Sequence, residues 1–124
     1  MDLNARGGAF TSKVTFSGDK EVSVEAVIDT GSNMTFLAED SCLDTGLEPD
    51  GSRGILCVHG KREDMFVFKG KLKLAGKIIE SRVVALPSKT IILPGTETKA
   101  LLGRDALKEF DLHMNWPSGQ GSIE

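Results

Sequence analysis

The pattern of apolar and polar positions predicts strands along most of the chain. Apolar residues alternate with polar ones at 14–16 and 22–26, and the turn-forming run Ser-Gly-Asp-Lys at 17–20 separates them. Such alternation is typical of strands that bury one face, and a Gly-Asp turn between two of them predicts a hairpin. The second strand of this hairpin ends in the apolar pair Val27-Ile28 and runs directly into Asp29.

The rest of the chain continues the same pattern. A second, projecting hairpin is predicted from 54–58 and 65–68, with the polar turn His59-Gly60-Lys61-Arg62 between them. Other strands are predicted at 35–37, 78–86 and 112–116, and a single helix at 104–110. The stretch 38–46 is interpreted as irregular, with room for one helical turn, and 47–53 as loop. Many short strands with turn signals and one short helix near the C-terminus predict an all-β fold, a closed barrel or sandwich.

Length and composition narrow the picture further. The chain has 124 residues and suits one domain, which we expect at 10–116, between a flexible N-terminal lead-in at 1–9 and a polar tail at 117–124. The net charge of -3 does not favour nucleic acid, and no apolar run approaches the length of a membrane span. Two cysteines, Cys42 and Cys57, make no disulfide framework and no metal-ligand cluster. We expect no cofactor or metal, and a location in the cytoplasm or within a larger precursor protein.

The tripeptide Asp-Thr-Gly occurs twice, and its surroundings separate the two copies. The copy at 44–46 follows Ser41-Cys42-Leu43 with no apolar strand before it, so we interpret it as a turn or helix end capped by Gly46. The copy at 29–31 is followed by Ser32 and lies between apolar strands. A carboxylate where a buried strand breaks off lies in a low dielectric, and the glycine allows a sharp turn and close approach of a ligand.

A second segment, Ala-Leu-Leu-Gly-Arg-Asp-Ala-Leu at 100–107, makes the functional interpretation of the Asp-Thr-Gly copy at 29–31 more specific. Two apolar residues, a glycine and a charged helix start are unremarkable alone. In this order after Asp-Thr-Gly-Ser, with a hairpin between them, the chain resembles the retropepsins, the aspartic proteases of retroviruses, retrotransposons and related cellular domains. The resemblance covers about 10–116 and implies a retropepsin-like β-barrel with a flap hairpin at 53–66.

The resemblance also implies roles for individual residues. Asp29 would be the catalytic aspartate, Thr30 would lock the two active-site loops of a dimer together, and the Gly31 carbonyl would bind the substrate backbone. The Ser32 hydroxyl could donate to the outer oxygen of Asp29 or bond within its own turn. Leu101, Leu102 and Gly103 would form the strand behind this loop, followed by Arg104, the family's buried structural arginine, and by Asp105, another structural residue.

Position 33 is Asn, whereas many viral members carry an acid there that pairs with the arginine. Arg104 therefore needs another partner, for which Asp105 and a backbone carbonyl are candidates. The cleft should be mostly apolar, and the residues predicted to line it are Phe36, Ile55, Val58, Ile91 and Ile92.

The mechanism implied by the resemblance requires two carboxyl groups a few ångströms apart that share one proton. Because the chain offers one convincing catalytic aspartate, the second would come from a twin chain across a two-fold axis. We therefore expect a homodimeric aspartic endopeptidase that cleaves extended peptides or a polyprotein. Two alternatives stay open: a retropepsin-fold binding or dimerisation module without proteolysis, and a plain β-barrel interaction domain with a chance motif.

Overall fold

The computed structural model describes the backbone of residues 1–58 and 61–124, and the side chains of 1–51 and 65–124. It contains ten strands and two short helices in these ranges. The elements are β1 (Asn4–Arg6), β2 (Ala9–Ser17), β3 (Glu21–Ile28), β4 (Thr35–Ala38), α1 (Glu39–Thr45), β5 (Glu48–Val58), β6 (Lys61–Leu74), β7 (Lys77–Leu86), β8 (Ala100–Leu102), α2 (Arg104–Leu107), β9 (Leu112–Asn115) and β10 (Gln120–Ile123).

Eight of the strands form one sheet that closes on itself. Their order is β1-β2-β3-β8-β4-β7-β6-β5, and an additional pairing of β2 with β6 completes the ring. The inward faces of β2, β3, β6 and β7 supply the main core, in which Phe10, Phe16 and Leu72 are fully buried. The predicted all-β barrel is confirmed.

Two hairpins of the barrel are joined by tight turns. β2 pairs with β3 from Thr11↔Val27 to Ser17↔Glu21, around the predicted turn. β6 and β7 are joined through Ala75 and Gly76, whose φ angles of 51° and 76° are both left-handed. Two consecutive positive φ values give the strongly twisted connection that suits adjacent antiparallel strands.

β8 is the strand that shapes the site. It lies between β3 and β4, parallel to β3 with Ile28↔Leu102 and antiparallel to β4 with Phe36↔Leu101. The loop that joins β3 to β4 therefore crosses the end of β8. This arrangement places the segment after Ile28 directly against the segment after Leu102.

Three predicted segments differ from the structure. The stretch 47–53, predicted as loop, belongs mostly to β5, and Pro49 and Gly51 instead accompany a register shift between Pro49 and Arg53. The stretch 38–46, for which at most one helical turn was expected, contains the seven-residue helix α1, so the described residues hold two helices. α2 ends at Leu107 rather than at 110.

The chain ends are also more ordered than their composition suggests. The predicted lead-in 1–9 includes β1, which pairs with β2, and a buried Leu3. The predicted polar tail 117–124 includes β10, which pairs with β9 and buries Ile123 completely. Backbone pairing at a distance in sequence orders segments whose own side chains carry little apolar signal.

Candidate active site

Residues 29–34 form a loop between β3 and β4 that is fastened from behind. The Asp29 N–H donates to the Leu102 carbonyl oxygen at 3.0 Å, which continues the β3–β8 ladder into the loop. The Arg104 N–H donates to the Ser32 carbonyl oxygen at 2.8 Å. The loop is thus held at both ends by the segment that runs from β8 into α2.

The Asp29 carboxylate lies half-buried at the start of this loop. Its Oδ1 accepts a hydrogen bond from the Gly31 N–H at 2.9 Å. Its backbone carbonyl accepts from the Ser32 N–H at 3.2 Å. The loop backbone therefore turns back on the carboxylate and fixes its orientation, while Thr30 and Gly31 are exposed.

The Ser32 hydroxyl points away from Asp29. It donates to the Met34 carbonyl oxygen at 2.8 Å and accepts from the Met34 N–H at 3.4 Å. Of the two predicted possibilities, the structure shows the hydrogen bonding within the turn. A hydroxyl held in this way stabilises the loop and not the carboxylate.

Arg104, at the start of α2, is bonded to two residues of the same loop. Its Nη1 donates to the Thr30 carbonyl oxygen at 2.9 Å, and its Nη2 donates to the Asn33 side-chain oxygen. The predicted backbone partner is thus present, and the neutral side chain of Asn33 supplies a second acceptor. Asp105 is not a partner. The expectation that Arg104 is buried is wrong for the single chain, because its partners lie on an exposed loop.

Asp105 instead forms a clip with Thr35, the first residue of β4. The Thr35 hydroxyl donates to Oδ1 of Asp105 at 2.7 Å, and the Thr35 N–H donates to Oδ2 at 3.3 Å. The same hydroxyl accepts from the Gly103 N–H at 3.2 Å, and Thr35 is fully buried. One side chain therefore joins β4, β8 and α2 directly behind the loop.

Position 103 has no room for a side chain, so a glycine is required there. A Cβ atom at this position would overlap the backbone of Met34, including its carbonyl oxygen. The absence of a side chain lets the β8–α2 junction and the end of the loop lie backbone to backbone.

The predicted cleft residues divide into three groups. Phe36 and Ile92 pack against a second apolar cluster formed by Met65, Val67, Val84 and Leu86. Ile91 does not join this cluster and is 74% exposed. The side chains of Ile55 and Val58 lie outside the described residues, as do His59 and Gly60 of the predicted flap turn. β5 and β6 pair as a hairpin over the predicted flap range.

Sequence reasoning missed Thr35 and Met34. A polar residue at the start of an apolar strand was the available signal for Thr35, because a buried hydroxyl needs partners. Its acceptor lies 70 residues away, which a single sequence does not reveal. Met34 contributes its backbone to the Ser32 hydrogen bonds and its side chain to the second apolar cluster.

The second Asp-Thr-Gly copy forms a helix end, as predicted. Gly46 caps α1 with a left-handed φ of 64°, and Thr45 is fully buried with its hydroxyl donating to the Cys42 carbonyl oxygen at 2.8 Å. Burial raises the pKa of the Cys42 thiol to about 12, so it stays protonated and unreactive near neutral pH. Neither the buried Thr45 hydroxyl nor the buried Cys42 thiol has the surroundings of a catalytic residue.

The described residues, 1–58 and 61–124, offer neither a cluster of metal ligands nor a membrane-spanning helix. They contain no group of three or more His, Cys, Asp and Glu side chains that could hold a metal ion. They also contain no helix that is long and apolar enough to cross a membrane.

Comparison with known proteins adds evidence for the fold. No family model and no curated protein sequence matches this chain. Among solved structures, the EIAV protease in complex with an inhibitor matches with a TM-score of 0.59 and 19% identity, over 82% of this chain and 86% of that one. A retropepsin-like aspartic protease from Rickettsia conorii matches with a TM-score of 0.64 and 13% identity, over 93% and 83%.

A third structure, the protease of Simian Foamy Virus (mac), matches with a TM-score of 0.56 and 17% identity, over 79% of this chain and 91% of that one. At these identities the likeness concerns the fold. The chain has the retropepsin-like aspartic protease fold.

Proposed function

We propose that this protein is an aspartic endopeptidase that acts as a homodimer, with Asp29 of each chain forming the catalytic pair. The observation that carries the proposal is the Asp29 carboxylate, fixed by the Gly31 N–H at 2.9 Å on an exposed loop of a retropepsin-like fold. The loop is bonded from behind by Leu102 and Arg104. Catalytic groups are held in this way, by a support that fixes their geometry while one side stays open.

A second chain supplies what one chain lacks. Two carboxyl groups a few ångströms apart share one proton, because both cannot ionise at that distance. A two-fold axis beside the exposed Thr30 and Gly31 would bring two copies of Asp29 together. The same axis would cover the Arg104 side chain, which lies exposed beside Thr30 in one chain.

The reaction needs no covalent intermediate. The ionised carboxylate takes a proton from a water molecule, whose oxygen attacks the scissile carbonyl carbon, while the protonated carboxyl gives its proton to the carbonyl oxygen. Collapse of the resulting diol breaks the C–N bond, and a carboxyl proton passes to the leaving amine. The Gly31 N–H keeps the carboxylate oriented throughout.

The substrate would be an extended peptide held between the loop and the hairpin of β5 and β6. The base of this hairpin contributes Met65 and Val67 to the cluster that also contacts Phe36 and Ile92. Ile91, which precedes Ile92 in the chain, is 74% exposed. Apolar side chains on both sides of the cut bond fit such a cleft, and a polyprotein that includes this domain is the substrate class we propose.

The test is cleavage of a mixed peptide library between pH 4 and 7, with and without a pepstatin-type inhibitor. We expect inhibitable cleavage beside apolar residues, with a rate that rises more steeply than linearly with enzyme concentration. A folded dimer that cleaves no peptide would contradict the proposal and favour a binding or dimerisation module. Cleavage whose rate is strictly linear down to the lowest concentrations, by a chain that sediments as a monomer, would contradict the shared site.

A further inference from the structure

One face of β6 changes from apolar to basic along its length. Alternate side chains of this strand pack in the main core, and the opposite face begins with Met65 and Val67 of the second apolar cluster. It continues with Lys69, Lys71 and Lys73, all exposed, which we call the lysine row. Side chains on one face of a strand are roughly 7 Å apart, so the row continues away from the apolar cluster for roughly 20 Å.

The lysine row is not paired within the described part of the chain. The ion pairs there involve Arg82 and Lys99 and no member of the row. Glu48 and Glu80 lie directly across from its first two lysines, but neither forms an ion pair with them. The cross-strand neighbours of the third lysine are uncharged. The ammonium groups of the row are therefore open to a partner.

Protection of a sheet edge does not account for the row. Lysines on strands often keep an exposed edge from pairing with another chain. β6 is not an edge along the row, because β7 pairs with it on one side and β5 or β2 pairs with it on the other. The chain as a whole has a net charge of -3, so three unpaired cations on one strand are a local excess of the opposite sign.

A groove of about 620 Å³ opens beside the row, where the neighbour of β6 changes from β5 to β2. The turn at 17–19 forms one of its walls, and the junction of α1 with β5 forms another. The charged residues that line the groove are Lys69, Lys71, Arg82, Asp19, Glu48 and Glu80. Because cations and acids are equally represented, the spacing of charges on a ligand matters more here than its total charge.

We propose that the lysine row and this groove hold an acidic segment of the substrate outside the cleft, with an acidic residue at every second position. The proposal rests on the proposed function, since the row extends from the cluster assigned to the cleft. An extended peptide repeats its side chains on one face every two residues, as β6 does, so carboxylates at positions i, i+2 and i+4 match the three lysines. Binding of this kind lowers KM and leaves kcat unchanged.

An acidic peptide fits this surface better than nucleic acid does. Proteins that bind nucleic acid hold a continuous series of phosphates on a broad basic surface. Here Glu48 and Glu80 flank the row on its two sides. A single extended peptide is narrow enough to follow β6 between these glutamates, and it would continue from a cleft that the proposed function already assigns to peptides.

The test compares substrates that share one cleaved sequence and differ in a tail of Glu-Thr-Glu-Thr-Glu or Gln-Thr-Gln-Thr-Gln, placed on either side of the cut. One variant changes all three lysines of the row to glutamine. A control removes the same charge from exposed lysines elsewhere, with Lys20→Gln, Lys89→Gln and Lys108→Gln.

At low ionic strength we expect the acidic tail to lower KM by about 10-fold for the wild type and the control, and by no more than about 2-fold for the row variant. The kcat value should not depend on the tail. An equal preference in the two variants would reveal a general effect of net charge and would overturn the inference, as would a wild type without a preference.

Binding without catalysis is measured by NMR titration of the Asp29→Asn chain with the free tails. We expect the acidic tail to shift the amide signals of 69–73 and 80–82, and the glutamine tail to leave them in place. Such shifts in a protein whose wild type cleaves no peptide would remove the proposed function and keep the site. Cleavage with equal KM for both tails would keep the function and remove the site. A single-stranded oligonucleotide that binds the row more tightly than the acidic tail would also overturn the inference.

Discussion

The two Asp-Thr-Gly copies of this chain have the same three residues and opposite environments. At 29–31 the glycine N–H donates to the aspartate Oδ1, whereas at 44–46 it is taken up by the Cys42 and Leu43 carbonyls of a helix end. The threonine is exposed in the first copy and fully buried in the second. The backbone that arrives at the tripeptide, strand or helix, decides whether its polar groups are available to a ligand.

The first copy also has a support that the second lacks. The segment from β8 into α2 bonds the loop through Leu102, Arg104 and, by way of Thr35, Asp105. The second copy is bonded mainly within its own helix. Local sequence creates a turn in both cases, and only long-range pairing turns one of them into a candidate site.

The sharpest way to test this comparison is to neutralise each aspartate in turn. Asp29→Asn should lower peptide cleavage by about 10²–10⁴-fold, because it removes the group that exchanges protons with water. Asp44→Asn, on an exposed helix end, should leave cleavage unchanged and shift stability by no more than about 0.5 kcal/mol. Steady-state kinetics and denaturant unfolding measure both, and equal losses from the two variants would remove the distinction.

Filling the space behind the first copy should cost the most stability. Gly103→Ala places a Cβ against the Met34 backbone, which cannot yield as a side-chain tip would. We expect a loss of about 3 kcal/mol in the free energy of unfolding, the upper range for overpacking. Gly76→Ala serves as a comparison, since a Cβ there meets no atom within 4 Å and only its left-handed φ is strained. Urea denaturation of both variants should show the larger loss for Gly103→Ala.

Removing the Thr35 hydroxyl should lower the free energy of unfolding, because this hydroxyl bonds Gly103 and Asp105 behind the loop 29–34. Thr35→Val leaves the Gly103 N–H without its acceptor and takes one donor from Asp105. We expect the free energy of unfolding to fall by about 2 kcal/mol, which is the cost of leaving buried polar groups unsatisfied. Thr45→Val, which removes a single bond to a helix carbonyl, should cost about 1 kcal/mol. A Thr35→Val loss no greater than that of Thr45→Val would show that the clip is not a distinct support.

The two glycines should separate activity from stability. Gly46→Ala forces a left-handed φ of 64° on a residue with a side chain and should cost about 1 kcal/mol of stability while sparing cleavage. Gly31 has no such φ, but its Cβ would lie 3.2 Å from Asp29 Oδ1, so Gly31→Ala should lower kcat by about 10²-fold with little change in stability. Thermal unfolding paired with kinetics measures both, and a stability loss from Gly31→Ala equal to that of Gly46→Ala would contradict the contrast.

The smallest expected effect concerns the exposed arginine. Asn33→Asp gives Arg104 a charged acceptor in place of a neutral one. Since the pair is exposed in the single chain, we expect a gain below about 1 kcal/mol that shrinks as salt is added. A gain that persists at high salt would indicate that a partner chain buries the pair.

Much of this structure could be predicted because its signals are local. The β2–β3 hairpin, the left-handed Gly46 cap and the helix start after Gly103 all follow from turn and cap residues within a few positions. Other features depend on distant partners. Pro49 and Gly51 indicate a loop, although pairing with β6 makes them part of β5, and β10 becomes a strand because residues 1–3 and β9 lie on either side of it.

The site shows the same division. The position of Asp29 follows from an apolar strand that is followed directly by an aspartate, whereas the Thr35–Asp105 clip joins residues 70 positions apart. The exposure of Arg104 could not be predicted either, because it depends on where the loop lies relative to the surface of one chain. Its expected burial was an inference from relatives and not from this sequence.

The most direct test of the central claim is subunit mixing. Wild-type chains are equilibrated with an equal amount of Asp29→Asn chains at a fixed total concentration, well above the dimer dissociation constant, and cleavage is measured. If each site needs Asp29 from both chains, random pairing leaves about a quarter of the dimers active, and cleavage falls to about a quarter of the all-wild-type rate. Cleavage at about half of that rate would mean that each Asp29 acts alone, and would contradict the shared catalytic pair.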